Sequence, residues 1–320
     1  MTNLLTEMSE EQIGRLLTAL NSLKDGDLAA ERLVACGQCA VPYLADFLLK
    51  GSPRTISLPR CRAVRALGEL GAYSTLISYF KNYMRPQDSA VLFAEDAVRS
   101  AAARELVRCE SAEVFHVLLD AALQRATGGL VIALGEFHRP KSVPLLFEIL
   151  EDDLCREDAK ESLRKMPNDT RQFGILAIRG LTGVTLDGPS ARCRRRATLQ
   201  LMSELGVAKG DWPDVRRFLW ESDPGNVLAA AQIGFRVAPK TEWPEIMTAL
   251  LEIAGRLDCV QEEDIEQLLD AHPGIAHEIA LQVVKRRKDS GERPNWMSPS
   301  WRILNHVLGS TLQGGIHGRR

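Results

Sequence analysis

The side chains that could carry out catalytic or metal chemistry are spread along this 320-residue chain without the spacing that such chemistry requires. No pair of its histidines forms the His-Glu-x-x-His motif with which a helix holds catalytic zinc. No serine lies in a Gly-x-Ser-x-Gly turn, and both common glycine-rich nucleotide-binding motifs are missing from the sequence. The sequence therefore indicates no catalytic residue, no metal ligand set and no cofactor.

The seven cysteines are an odd number scattered over a long chain, which does not indicate a disulfide framework. Cys36 and Cys39 form one Cys-x-x-Cys pair, the spacing of a redox motif or of half a zinc site. The sequence contains no second pair at a distance that would complete four ligands. We interpret Cys36 as a packing residue, because it falls on an apolar helical position just before Gly37.

The elements that must position any site follow an internal repeat of roughly 30 to 40 residues. Each copy has an amphipathic segment with apolar or small residues three and four positions apart, and a turn and a second apolar-periodic segment follow it. One late apolar residue anchors each amphipathic segment: Leu33, Leu67, Leu106, Leu134, Leu163, Met202, Ile233 and Leu268. This spacing predicts about eight helical pairs. A capping box at Ser9 to Gln12 predicts a further helix at the N-terminal end.

A helical pair of this length buries its apolar stripe only by stacking on its neighbours, so we expect an all-α solenoid. Residues 98–106 and 65–71 resemble the second helix of HEAT repeats, particularly the bacterial type that is similar to phycobilin-lyase repeats. The resemblance is clearest over residues 25–166. It implies a right-handed solenoid with a capping helix at each end.

Acidic residues before the second helices resemble the acidic turn of the HEAT family; they are Glu95-Asp96, Asp152-Asp153 and Ser222-Asp223-Pro224. The family's inter-helix arginine is replaced at Thr127, Asn226 and Gln261. The resemblance therefore implies that the turns at these three positions lack an Arg–Asp pair.

The repeat pattern divides the chain into regular repeats over residues 1–179, divergent helical repeats over 191–289, and a capping segment with a disordered tail over 290–320. Longer connections interrupt the pattern at residues 51–59, 85–92 and 180–191. We expect the third connection to be the joint between the regular and the divergent repeats.

The composition is that of a globular chain, with 45% hydrophobic residues, 26% charged residues and a formal net charge of -2. No run is apolar for long enough to span a membrane, and the first residues do not form a secretory signal, so we expect a cytoplasmic protein. The near-zero net charge removes the simplest argument for nucleic-acid binding. Residues 285–320 carry +6 and residues 1–284 carry -8, so the positive charge is concentrated at the C-terminal end.

Six arginines are candidate binding residues: Arg65, Arg104, Arg108, Arg194, Arg195 and Arg196. The second helices of HEAT-like arrays line the concave surface, so the resemblance implies that Arg65, Arg104 and Arg108 project into one groove. Glutamates at comparable positions, including Glu31 and Glu69, make this groove mixed in charge rather than basic. A solvated charged face is the alternative interpretation of these arginines.

The resemblance implies a non-enzymatic scaffold or regulatory adaptor that binds another protein through the concave face. One alternative is a nucleic-acid-binding protein or a DNA glycosylase, which would use aromatic residues such as Trp212, Trp220 and Trp243 with Asp214. Tryptophans at helical spacing are more often core residues, and the sequence leaves this choice open. The other alternative is a lyase of the phycobilin type, which would require a bilin and a pocket for it.

Overall fold

A computed structural model describes residues 9–51, 55–180, 188–253, 265 and 267–272. These residues form helices and turns without a β-strand, which confirms the predicted all-α class. None of the described helices is both long enough and apolar enough to cross a membrane. Most of the predicted eighth pair lies outside the described residues, and so do the basic run at 285–288 and the segment 290–320.

The chain divides into two compact units, residues 1–166 and 167–320. The described part of the first unit contains α1 (Glu10–Ala19), α2 (Gly26–Ala35), α3 (Val41–Leu49), α4 (Leu58–Glu69), α5 (Tyr73–Lys81), α6 (Ser89–Leu106), α7 (Ala112–Gln124), α8 (Gly128–Glu136), α9 (Val143–Ile149) and α10 (Arg156–Arg164). Odd-numbered helices are the first members of helical pairs and even-numbered helices the second. Each helix packs on its partner, and the second helices also pack on one another in succession from α2 to α10. The first helices do the same from α1 to α7, so this unit is a two-layer stack.

The described part of the second unit contains α11 (Pro167–Gly180), α12 (Pro189–Leu205), α13 (Trp212–Arg216), α14 (Pro224–Val237) and α15 (Trp243–Ile253). It repeats the two-layer arrangement, because α11 packs on α13 while α12 packs on α14. A 3₁₀ turn over Arg217–Trp220 follows α13, where the sequence predicts one continuous helix from 212 to 220. The division after residue 166 assigns α11 to the second unit, whereas the repeat pattern assigns it to the regular repeats before residue 179.

Side chains at the helix starts explain where the helices begin. The Ser9 hydroxyl accepts a hydrogen bond from the backbone N–H of Gln12 at 3.3 Å, and the Gln12 side chain accepts one from the Ser9 N–H at 2.9 Å. This is the predicted capping box, and it begins α1. Asp88 caps α6 in a similar way. As a result α6 begins at Ser89 and includes the second half of the connection predicted at 85–92.

The predicted anchor residues lie in the core. All eight are buried: Leu33, Leu67, Leu106, Leu134, Leu163, Met202, Ile233 and Leu268. Glycines allow neighbouring second helices to approach closely. A Cβ at Gly129 of α8 would lie 2.4 Å from the Cα of Ser100 in α6, and one at Gly135 would lie 2.5 Å from the Ser162 hydroxyl of α10. Small residues at these contacts thus set the close packing of the stack.

A recurrent arginine stands seven residues before the anchor and joins neighbouring helices. It is present four times, as Arg60, Arg99, Arg156 and Arg195. Arg60 binds the Glu95 carboxylate and the carbonyl oxygen of Leu48. Arg156 donates a hydrogen bond of 2.8 Å to the carbonyl oxygen of Leu150. Three of the four, Arg60, Arg99 and Arg156, bind carbonyl oxygens at or near the ends of first helices, and Arg195 binds the Glu221 carboxylate instead.

Two of the positions where the resemblance implies no Arg–Asp pair lie in the described residues. The Thr127 and Ser100 hydroxyls form a hydrogen bond of 2.9 Å, and the Asn226 amide donates one of 2.7 Å to Glu221. Both turns nevertheless contain an Arg–Asp pair, which corrects the expectation. Arg125, two residues before Thr127, lies 2.6 Å from Asp96 of α6, and Arg196 of α12 lies 2.8 Å from Asp223, so different arginines supply these contacts. Gln261 lies outside the described residues.

Candidate functional site

Three of the predicted binding arginines lie along the seam between α4 and α6: Arg65, Arg104 and Arg108. Arg65 is exposed on α4, with its guanidinium 3.3 Å from Asp27 of α2 and 3.9 Å from Glu69. Arg108 is exposed just after α6, and its Nη1 lies 2.8 Å from Glu105. Each of these two cations is therefore matched by a carboxylate that belongs to the same surface.

Arg104 differs from its two neighbours. Its side chain is exposed on α6, and within the described residues it forms no ion pair. Burial raises the pKa of the nearby Cys61 thiol, and the positive charge of Arg104 acts in the opposite direction on that pKa. Arg104 thus lies at the α4–α6 seam as an exposed cation without an ion pair among the described residues.

Glu105 lies deeper in the seam than the arginines. A Cβ at Gly68 would come within 2.3 Å of its carboxylate, so the glycine makes room for this side chain. Burial raises the pKa of Glu105, while Arg108 acts to lower it. Glu69 and Arg65 also act on this carboxyl group, which places them within electrostatic range of it.

We call this group of six residues the seam patch: Asp27, Arg65, Glu69, Arg104, Glu105 and Arg108. The three cations and three anions of this patch balance in formal charge, and the buried Arg62 also binds Asp27, with 2.7 Å between its Nη2 and the carboxylate. The sequence analysis did not single out Asp27 or Glu105. The three-residue spacing of Glu105 and Arg108 is a readable helical signal, but Asp27 meets Arg65 across 38 residues and no local pattern indicates that contact.

The remaining predicted binding residues, Arg194 to Arg196, lie on α12 and are half-buried. Arg195 is 12% exposed, and its Nη1 lies 2.7 Å from Glu221. Arg196 forms the Asp223 pair described above. Arg194 also has an interaction partner. This arginine run is thus engaged in helix-to-helix contacts, with little positive charge left for a ligand.

The sequence left open whether the three tryptophans are core residues or site residues, and the structure gives different environments to them. Trp212 is buried and donates a hydrogen bond of 2.7 Å to Glu242. Trp243 packs edge-on against Phe235, with 5.5 Å between the ring centres. Trp220 is 55% exposed and donates to Glu245. Two of the three are therefore packing residues of the second unit.

Asp214, the carboxylate that a glycosylase would need, is bound to Arg179. The Arg179 Nε lies 2.7 Å from one Asp214 oxygen. This hydrogen bond is the main reason why the pKa of Arg179 is raised. Arg216 of the same helix pairs with Glu245 and holds the pKa of that carboxyl below its usual value. These contacts tie α11 to α13 and α13 to α15, which is a structural role.

The Cys-x-x-Cys pair lies at the end of α2. Cys36 is half-buried and Cys39 is exposed, and both thiols donate to backbone carbonyl oxygens at 3.0 Å. Burial raises the pKa of Cys36, the direction opposite to that of an activated thiolate. Across the described part of the chain, no group of three or more His, Cys, Asp or Glu residues is placed to hold a metal ion.

The comparisons with known proteins do not assign this chain to a family. No protein-family model matches the sequence. No curated protein matches it either.

Proposed function

We propose that this protein is a non-enzymatic adaptor, a helical-repeat scaffold of the HEAT type that binds another protein through the seam patch on its second-helix layer. One observation carries the proposal: exposed arginines lie beside carboxylates across α2, α4 and α6, and Arg104 has no ion pair among the described residues. A mixed pattern of this kind is complementary to a specific protein surface. Such complementarity sets partner choice and association rate.

The charge balance of the seam patch favours a protein over a nucleic acid as the partner. A nucleic-acid site needs excess positive charge, because its affinity comes largely from neutralised phosphates. The exposed carboxylates of Asp27 and Glu69 would repel the phosphates at this surface. The α12 arginines do not supply the excess elsewhere, because Arg195 and Arg196 are paired with Glu221 and Asp223.

The stacked architecture also supports a binding role. Successive second helices present a continuous surface, and in a stack of repeats each pair contacts only its neighbours. Exposed residues on that surface can differ without disturbing the core. The ionisable groups of the described second unit that would suit catalysis, such as Asp214, are held in ion pairs instead.

The test is affinity purification of the intact protein from cells that produce it, as the wild type and as Arg104→Glu. The matched control is Lys141→Glu, since Lys141 is exposed, has no ion pair among the described residues and lies before the first helix α9. We expect Arg104→Glu to lower recovery of the co-purified protein about tenfold, a change of about 1.4 kcal/mol. Lys141→Glu should leave recovery unchanged.

The same preparations are then assayed for binding to duplex DNA at low and moderate salt. The proposal expects no retention of DNA at moderate salt. DNA binding that persists at moderate salt, and that is lost when Arg194, Arg195 and Arg196 are all replaced, would overturn the proposal in favour of the nucleic-acid alternative.

A further inference from the structure

The exposed apolar side chains of the first unit are gathered on one of its edges. Nine large hydrophobic residues are exposed in the described part of this unit: Leu23, Leu28, Leu49, Ile56, Leu58, Met84, Phe93, Leu123 and Leu154. All nine lie where a first helix ends or a second helix begins. No described residue at the opposite edge, where the second helices end, exposes a large hydrophobic side chain. We call the set of nine the apolar edge.

Contacts between successive pairs show that these positions share one edge of the stack. Arg62 at the start of α4 donates to the carbonyl oxygen of Leu20 at the end of α1. At the other edge, Lys165 just after α10 lies 2.6 Å from Glu136 at the end of α8. One edge therefore carries the ends of the first helices and the starts of the second helices, and the other edge carries the ends of the second helices. The apolar side chains follow the stack from its first pair to its fifth.

The spacing expected for this row is nearer to the seven-residue repeat of an α-helix than to the repeat of a β-strand. Packed helices lie about 8–10 Å apart, so a row with one residue per pair repeats at about that interval. Its members are Leu23, Ile56, Phe93, Leu123 and Leu154. Seven residues of an α-helix rise about 10.5 Å and return to the same face. In a β-strand, a side chain returns to the same face every 6.6–6.8 Å or so, which falls out of step with the row.

A groove crosses the row between its third and fifth members. It is lined by Phe93, Ala126 and Leu154 and has a volume of about 530 Å³. Phe93 is 61% exposed and Leu154 is 80% exposed, so both can close on an inserted side chain. Burial of exposed apolar area of this kind is typical of protein interfaces.

Two exposed charges of opposite sign line the groove. They are Arg85, in the connection before α6, and Asp152, two residues before Leu154 in the chain. Both are exposed, and neither has an ion pair with another described residue. A partner with an acidic residue at the first position and a basic residue at the second is therefore favoured in one orientation only.

We propose that the apolar edge docks an amphipathic helix of a partner protein, with apolar residues at seven-residue intervals, an acidic residue facing Arg85 and a basic residue facing Asp152. The inference rests on the proposed adaptor function and adds a second binding surface to it. Such a helix would lie across the ends of the stacked pairs. The seam patch would remain free for a second contact.

The test uses labelled synthetic peptides and the full-length protein in a fluorescence anisotropy titration. The matched peptide has about 28 residues, enough to follow the row at 1.5 Å per residue, with leucine at every seventh position and the two charges placed as proposed. One control peptide has the same composition with its leucines spread around the helix. A second control peptide has its charges exchanged. We expect the matched peptide to bind about tenfold more tightly than either control.

Variants of the protein test whether the peptide binds at the apolar edge. Phe93→Gln combined with Leu154→Gln should weaken the matched peptide about tenfold or more, while Leu176→Gln, an exposed apolar residue of the second unit, should have no effect. Asp152→Lys should weaken the matched peptide and strengthen the charge-exchanged one. All four positions are exposed, and far-UV circular dichroism verifies that each variant is folded.

Several results would overturn the proposal. They are equal binding of the matched and spread-leucine peptides, an unaffected Phe93 and Leu154 double variant, a wild-type dimer that this variant converts to a monomer, and binding of phosphatidylcholine vesicles in place of the peptide. Arg104→Glu distinguishes this outcome from failure of the adaptor proposal. It should leave peptide binding unchanged while it lowers recovery of the seam-patch partner.

Discussion

Replacing the buried Arg99 with methionine is expected to destabilise the protein far more than the same replacement at Arg104. Arg99 is 0% exposed and donates hydrogen bonds of 2.8 and 3.1 Å to the carbonyl oxygens of Ala121 and Arg125. Its guanidinium carbon lies 4.3 Å from the centre of the Tyr83 ring. Burial lowers the pKa of Arg99, although Tyr83 acts in the opposite direction. Methionine fills the space of the apolar stem but leaves both carbonyl groups without this donor.

The magnitude follows from these contacts. A hydrogen bond from a charged donor contributes about 1.5–3 kcal/mol, so two of them give a loss of about 3–6 kcal/mol in the free energy of unfolding. Arg104 is exposed without a described ion pair, and Arg104→Met should change that free energy by less than about 0.5 kcal/mol.

Urea unfolding of the full-length variants, followed by far-UV circular dichroism, measures both values. The contrast separates the arginines that hold the fold from those available for binding. A loss of less than about 1 kcal/mol for Arg99→Met would refute this assignment. An equal loss for both variants would also refute it.

Three further predictions concern the pH dependence of stability, helix packing and the tryptophans. Burial raises the folded-state pKa of Glu105, so ionisation of this carboxyl group costs stability as the pH rises from about 4.3 through that pKa. The melting temperature of Glu105→Gln should therefore rise relative to that of the wild type between about pH 4 and pH 8. A difference in melting temperature that does not change with pH would contradict this. Gly129→Ala should destabilise by about 1–3 kcal/mol because its Cβ meets α6, whereas Gly14→Ala, with open space around it in α1, should stabilise by about 0.5–1 kcal/mol in the same urea assay. Trp212→Ala should cost about 3–5 kcal/mol and Trp220→Ala much less in calorimetry; comparable losses would mean that Trp220 is also a core residue.

Much of the fold could be predicted from the sequence because its signals are local. The anchors such as Leu67 and Leu106 mark an apolar stripe with the period of a helix, and a stripe of this kind is buried wherever helices stack. The capping box at Ser9 is a four-residue pattern that needs no tertiary contact. The break of the predicted 212–220 helix into α13 and a 3₁₀ turn has no comparable signal in the sequence.

The candidate site was only partly predictable, since its contacts join residues far apart in the chain. Arg99 and Arg104 look alike in the sequence, yet they stand five residues apart, which is about 140° around an α-helix. One therefore faces the core and the other faces solvent. The pairing of Arg196 with Asp223 across 27 residues likewise depends on which helices pack together. The balanced charge of the seam patch becomes visible only once α2, α4 and α6 lie side by side.

Site-specific photo-crosslinking in cells that produce the protein tests the adaptor function most directly. A photoreactive amino acid is placed at position 104 in the seam patch, and at position 141 before α9 as the control. The proposal predicts a crosslinked protein at position 104 that is absent at position 141 and diminished by Arg108→Glu. Crosslinks to nucleic acid at position 104, or the same protein crosslinked equally at both positions, would contradict it.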